Sequence, residues 1–157
     1  MMYDVAVVRY ERPFESLEKA VDLAGGFGDV SRGSKVFIKP NFCMWREGVD
    51  FPKYGVLTTA RLIEDTVVLL KEYGVEDITI AEGIVEAERK AEPTLQLVAR
   101  GMGLDILAKR YGVKTIDVLR GSFTKVSADG VTLSVNKDIL DADCVVNIPV
   151  LKTHSQS

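Results

Sequence analysis

Apolar positions along the chain alternate between short β-branched runs and longer stretches spaced for a helix. Asp4 to Tyr10 contains Val5-Ala6-Val7-Val8 and predicts a short buried strand. Phe14 to Ala24 sets Leu17, Ala20, Val21 and Ala24 at helical spacing, with Pro13 suited to the start and Gly25-Gly26 to the stop. Lys35 to Lys39, apolar on both faces through Val36-Phe37-Ile38, predicts a central strand covered on each side. Thr59 to Tyr73 predicts the clearest helix, with Leu62, Ile63, Val67, Leu69, Leu70 and Tyr73 as a broad stripe and Gly74 as the residue that ends it. Val75 to Ala81 is the next strand. Thr94 to Tyr111 is helical in two pieces, broken by Gly101 and Gly103, and Val113 to Val118 is a strand. Phe123 to Ser127 and Val131 to Val135 flank Asp129-Gly130 and predict a β-hairpin. Lys137 to Ala142 reads as a helical turn and Cys144 to Ile148 as the last strand.

Two stretches repeat one device. Lys71-Glu72-Tyr73-Gly74-Val75 and Lys109-Arg110-Tyr111-Gly112-Val113 each precede a β-branched run. A glycine with positive φ stops the helix and a β-branched residue starts the strand. The alternation argues for α/β architecture: a mainly parallel sheet with helices on both faces, a Rossmann-like three-layer sandwich, plus the small hairpin. Residues 40–57, punctuated by Pro40, Gly48, Pro52 and Gly55, form an irregular loop long enough to be functional or mobile.

Composition narrows the class. A chain of 157 residues, 46% hydrophobic, suits a single domain over 1–157 that needs no disulfide or metal to fold. The net charge is −3, and the basic residues are dispersed, which argues against a nucleic-acid partner. No apolar run is long enough to span a membrane. Asp4, Arg9, Glu11 and Arg12 interrupt any signal-peptide core, and the two cysteines, Cys43 and Cys144, make neither a CxxC pair nor a disulfide framework. These features suggest a cytoplasmic protein. Asn and Gln are scarce beside abundant charge, in keeping with a thermophilic source.

Candidate chemistry lies where strands end. In open α/β sheets, ligands bind beyond the carboxyl ends of the strands. Lys39 and Asn41 stand there for the second predicted strand, Glu82 for the third, and Asn147, Lys152 and His154 for the last. Lys152 and His154 are two apart, so an extended backbone points both to one side. A fixed positive charge beside a group titrating near pH 6.5 suits an anionic ligand, with His154 as proton carrier or metal ligand. Each residue also has a plainer reading. Lys39 can snorkel from a strand end, His154 can be a solvated terminal histidine, and Asn147 can satisfy a neighbouring loop instead of facing a ligand. Gly25-Gly26-Phe27-Gly28 follows a helix and reads as its stop, not as a phosphate loop. Cys43 reads as an incidental thiol, Cys144 as core, and Glu86, Glu88 and Glu92 as a solvated acidic face.

At Lys39-Pro40-Asn41, Thr58-Thr59, Ala81-Glu82-Gly83 and the run from Asp141-Ala142-Asp143 through Asn147-Ile148-Pro149 to Leu151-Lys152-Thr153-His154, the chain resembles the uncharacterised family known as domain of unknown function 362. The likeness runs along essentially the whole chain. Members of that family typically continue past the Lys-Thr-His segment, and many carry ferredoxin-like cysteine clusters. The resemblance therefore implies a domain shortened at its C-terminal end. Two cysteines cannot supply such a cluster, so no iron–sulfur centre is expected in this chain; other cofactors stay open. Two functions follow. In the first, the chain is an enzyme or part of one: Lys39 and Lys152 hold an anionic small molecule, Asn41 and Asn147 orient it, His154 moves a proton, and a metal held by His154 and Glu82 assists. In the second, it is a non-catalytic module that partners an iron–sulfur electron-transfer protein or domain. A sheet left with an uncovered edge further predicts self-association into a homo-oligomer.

Overall fold

Eleven elements are described in a computed structural model covering residues 4–42, 56–83 and 94–153. In chain order they are α1 (Glu15–Leu23), β1 (Lys35–Lys39), α2 (Ala60–Glu72), β2 (Asp77–Glu82), α3 (Thr94–Gly101), α4 (Leu104–Tyr111), β3 (Lys114–Asp117), β4 (Phe123–Ala128), β5 (Val131–Asn136), α5 (Lys137–Leu140) and β6 (Cys144–Asn147). The architecture is α/β, as the alternation of periods predicts.

Local chemistry explains the boundaries. Thr59 caps α2 by accepting the Leu62 N–H at 3.3 Å. Gly74 and Gly112 end α2 and α4 with φ of +83° and +69°, the left-handed geometry the repeated Tyr-Gly-Val device requires. At the hairpin, Asp129 and Gly130 both adopt positive φ, the turn geometry that matches the twist of two antiparallel strands.

The main sheet has four strands in the order β3-β2-β1-β6, all parallel. Central β1 buries Val36, Phe37 and Ile38 between its two neighbours. Val36, Ile38, Ile78 and Ile80 point to one face and form the core with Ile63, Val67 and Leu70 of α2, Leu95 and Val98 of α3, and Leu104 and Leu107 of α4. The opposite face presents Lys35, Phe37, Asp77, Thr79, Lys114 and Ile116 toward Asp138 of α5 and Asp141 at its end, across a cleft of about 220 Å³. Helices therefore flank the sheet, with the heavier layer on the core face. The β4–β5 hairpin forms its own sheet. Asn136 ties it to the body, donating from Nδ2 to the carbonyls of Val118 and Arg120.

One predicted element is absent. Asp4 to Tyr10 is not a strand and is not buried; Val5 and Val7 are 87% and 96% exposed. A β-branched run becomes a strand only where a neighbouring edge supplies its hydrogen bonds, and here none does. Beyond it, the Tyr10 hydroxyl and the Phe14 N–H both donate to buried Asp65 of α2, which fixes the chain where α1 begins. Most of the predicted 40–57 loop lies outside the described residues.

Candidate functional site at the carboxyl rim

Parallel pairing brings the ends of β1, β2, β3 and β6 to one rim. In register, Lys39 lies beside Asn147 and Glu82 beside Asp117. Glu82 organises the centre of this rim. Its strand buries Ile78, Ile80 and Ala81, which carries the carboxylate into the interior at 6% exposure. A buried carboxylate needs donors. Oε2 accepts Lys39 Nζ at 3.1 Å and the Phe42 N–H at 3.2 Å, and Oε1 accepts the Gly83 N–H at 2.9 Å. One side chain thus fixes the exits of two strands. Gly83 suits this turn because a Cβ there would sit 2.9 Å from Val118 Cγ2.

A second network joins β1 to β6 through the segment that enters α2. The Asn41 N–H donates to Thr58 Oγ1 at 2.8 Å, and the Thr58 hydroxyl donates to the Ile148 carbonyl at 2.7 Å. The Thr58 N–H returns a bond to the Asn41 carbonyl at 3.0 Å. Two side chains converge on the Val56 carbonyl: Asn41 Nδ2 at 2.7 Å and Lys152 Nζ at 2.9 Å. Lys152 is remote in sequence from Val56, so this contact brings the segment after β6 over the segment before α2.

Of the residues the sequence singles out, Lys39, Asn41, Glu82, Asn147 and Lys152 all stand on this rim. Lys39 and Glu82 touch directly; Asn41 and Lys152 meet through Val56. Asn147 is exposed and makes no side-chain hydrogen bond among the described residues, because β6 is an edge strand and its side chain lies on the less covered face. The loop-satisfying reading of Asn147 therefore has no counterpart there. His154 and Cys43 lie outside the described residues, as do Glu86, Glu88 and Glu92.

Two rim residues escaped the sequence reading. Thr58, 2% exposed, is the bridge between Asn41 and Ile148. Its signal was the Thr58-Thr59 pair, in which only the second threonine is needed as a helix cap. Asp117 ends β3 and accepts the Leu119 N–H and Arg120 Nε. The strand-end rule that found Glu82 applies equally to Asp117.

The electrostatics at the rim are local. Lys39 uses two of its ammonium hydrogens, on Glu82 and on the Pro40 carbonyl at 3.0 Å, and its side chain stays 44% exposed. At the start of β6, burial pushes the Cys144 thiol up, so it stays protonated and unreactive near neutrality. Among the described residues no group of three or more His, Cys, Asp or Glu side chains is placed to hold a metal. Glu82 itself already serves three donors. No helix among the described residues is long and apolar enough to cross a membrane.

A family model described as Domain of unknown function (DUF362) matches residues 36–157. The match opens inside β1 and takes in every rim residue, while the Asp4–Tyr10 segment and α1 precede it. No curated protein and no solved structure matches the chain.

Proposed function

The chain belongs to the DUF362 family, whose description assigns no activity, and from that premise we propose that its carboxyl rim binds an anionic small molecule, a carboxylate or phosphate. The supporting observation is the Lys39 ammonium. It is held in place by a buried carboxylate, half exposed to solvent, and keeps a third N–H for a ligand. Holding the side chain in advance lowers the entropy cost of using it. Lys152, drawn over Val56, adds a second positive charge from the neighbouring strand exit. The exposed Asn147 amide offers a donor and an acceptor for orientation, and Asn41 acts mainly by positioning the Val56 segment. His154, two residues beyond Lys152 in the sequence, is the candidate for any proton transfer. Metal assistance through Glu82 fits less well, since a carboxylate already accepting three hydrogen bonds must surrender some of them to bind a cation.

The test is titration calorimetry of inorganic phosphate and of succinate into the wild-type chain, Lys39→Ala and Lys152→Ala. A charge-assisted hydrogen bond is worth about 1.5–3 kcal/mol, so each variant should weaken binding by roughly 10- to 100-fold. Affinity unchanged in both variants, or no saturable binding of either anion by the wild type, refutes the proposal.

A further inference from the structure

Among the described residues the chain contains a β-branched run outside any sheet and a sheet edge without a further strand. The run is Asp4–Arg9, and among the described residues the main-chain groups of residues 5–10 make no hydrogen bond. The edge is the outer side of β6. The Ile148 N–H is directed at the Lys39 carbonyl of β1, and backbone groups of successive residues in a strand point to opposite sides. Those of Val145 and Asn147 are thereby sent outward, where the sheet order places no further strand among the described residues. We infer that residues 4–9 of one chain add to β6 of a second copy, and that the exchange is reciprocal, giving a twofold dimer with one strand added to each sheet.

The register follows from chemistry on both sides. In antiparallel alignment, Val7 opposite Val145 and Val5 opposite Asn147 form the hydrogen-bonded pairs. The side chains of Val7 and Val145, 96% and 49% exposed, then cover one another. Arg9 falls opposite Asp143, a pair of opposite charge, while the small Ala6 and Val8 turn toward the core side of the sheet. Among the described residues Arg9 otherwise makes an exposed contact with Glu11 at 3.4 Å. The parallel alignment that keeps Val7 beside Val145 sets Val5 against Asp143 and gives up that charge pair.

Two observations select this edge and this occupant. The other open edge, β3, carries Lys114 and Asp117 among its four residues, the charged protection that deters strand addition. β6, Cys144–Asn147, has no charged residue. Among the described residues of one chain, the segment and the edge both remain unpaired, with the segment tethered to α2 through Tyr10 and Phe14 on Asp65. A second copy satisfies both at once, and reciprocal exchange closes the assembly instead of extending it.

The experiment measures mass by light scattering on the full chain, beside the double variant Val5→Pro/Val7→Pro. Those prolines remove two N–H groups needed for the added strand and touch no hydrogen bond among the described residues. The wild type should have twice the chain mass, and the variant should fall to the chain mass with unchanged circular dichroism. A second arm places Val7→Cys and Val145→Cys in a Cys43→Ser background; mild oxidation should give a disulfide-linked dimer on non-reducing gels. A wild-type monomer, a dimer that survives both prolines, or a disulfide confined to one chain overturns the inference.

Discussion

Lys39 Nζ stands 3.1 Å from Glu82 Oε2, across the β1–β2 pair and at its carboxyl end. The two members of this pair differ in burial: the Glu82 side chain is 8% exposed and the Lys39 side chain 44%. Their roles divide accordingly. Glu82 holds the backbone of two strand exits, and Lys39 presents charge outward from a fixed position.

That division predicts unequal losses of stability. Glu82→Ala leaves the Phe42 and Gly83 N–H groups without their acceptor and should cost about 2–4 kcal/mol. Lys39→Ala should cost about 1 kcal/mol or less, because a half-exposed ammonium is readily replaced by water. Urea unfolding monitored by circular dichroism compares the two. Equal losses would show that Glu82 acts only as the lysine's counter-ion.

Thr58 works through its hydroxyl, which accepts from Asn41 and donates to Ile148. Thr58→Val keeps the shape and removes both bonds; a loss of about 1–3 kcal/mol is expected. Thr58→Ser keeps the hydroxyl and should retain most of that stability. The same unfolding measurement separates them, and equal behaviour of the two variants contradicts the bridging role.

Gly83 is constrained by space. An added Cβ meets Val118 Cγ2 at 2.9 Å and Leu119 Cγ at 3.0 Å, so Gly83→Ala should cost about 1–3 kcal/mol through overpacking. Shortening the neighbour with Val118→Ala in the same chain should recover part of the loss. A neutral Gly83→Ala would mean that the turn moves freely, and with it the Glu82 contacts.

Tyr10 makes the anchor of the N-terminal segment sensitive to alkali. Its partial burial, then its hydrogen bond to Asp65 and that carboxylate's charge, raise the phenol above its ordinary value near 10. The folded state therefore binds this proton more tightly than the unfolded one. Its contribution is complete below pH 10 and declines as pH rises from there. Tyrosinate absorbance should show one late-titrating tyrosine that is missing from Tyr10→Phe and shifted down in Asp65→Asn. A Tyr10 that titrates with the other tyrosines would contradict the anchor.

Elements whose signals are local were legible in the sequence. The helix over Thr59–Tyr73, the Tyr-Gly-Val device and the Asp129-Gly130 hairpin depend on residues near one another in the chain. The strand-end rule likewise set Lys39 and Glu82 on one rim, because parallel direction alone is enough for that. What depends on strand order was not legible. Asn147 reads as a buried strand amide until β6 proves to be an edge. Asp4–Tyr10 reads as a buried strand for the same reason: its periodicity is right and no edge pairs with it. Thr58 was hidden because its partners lie on two other strands' exits, a relation no short window contains.

The most direct measurement is a two-dimensional amide NMR titration of the wild-type chain and Lys39→Ala with inorganic phosphate and with succinate. In the wild type, saturable shifts should gather at Lys39, Asn41, Phe42, Glu82, Gly83, Asn147 and Lys152, and in Lys39→Ala should need roughly 10- to 100-fold more anion. Shifts centred instead on the cleft between Lys35, Asp77 and Lys114, or rim shifts that saturate at the same anion concentration in Lys39→Ala, would contradict anion binding at the carboxyl rim.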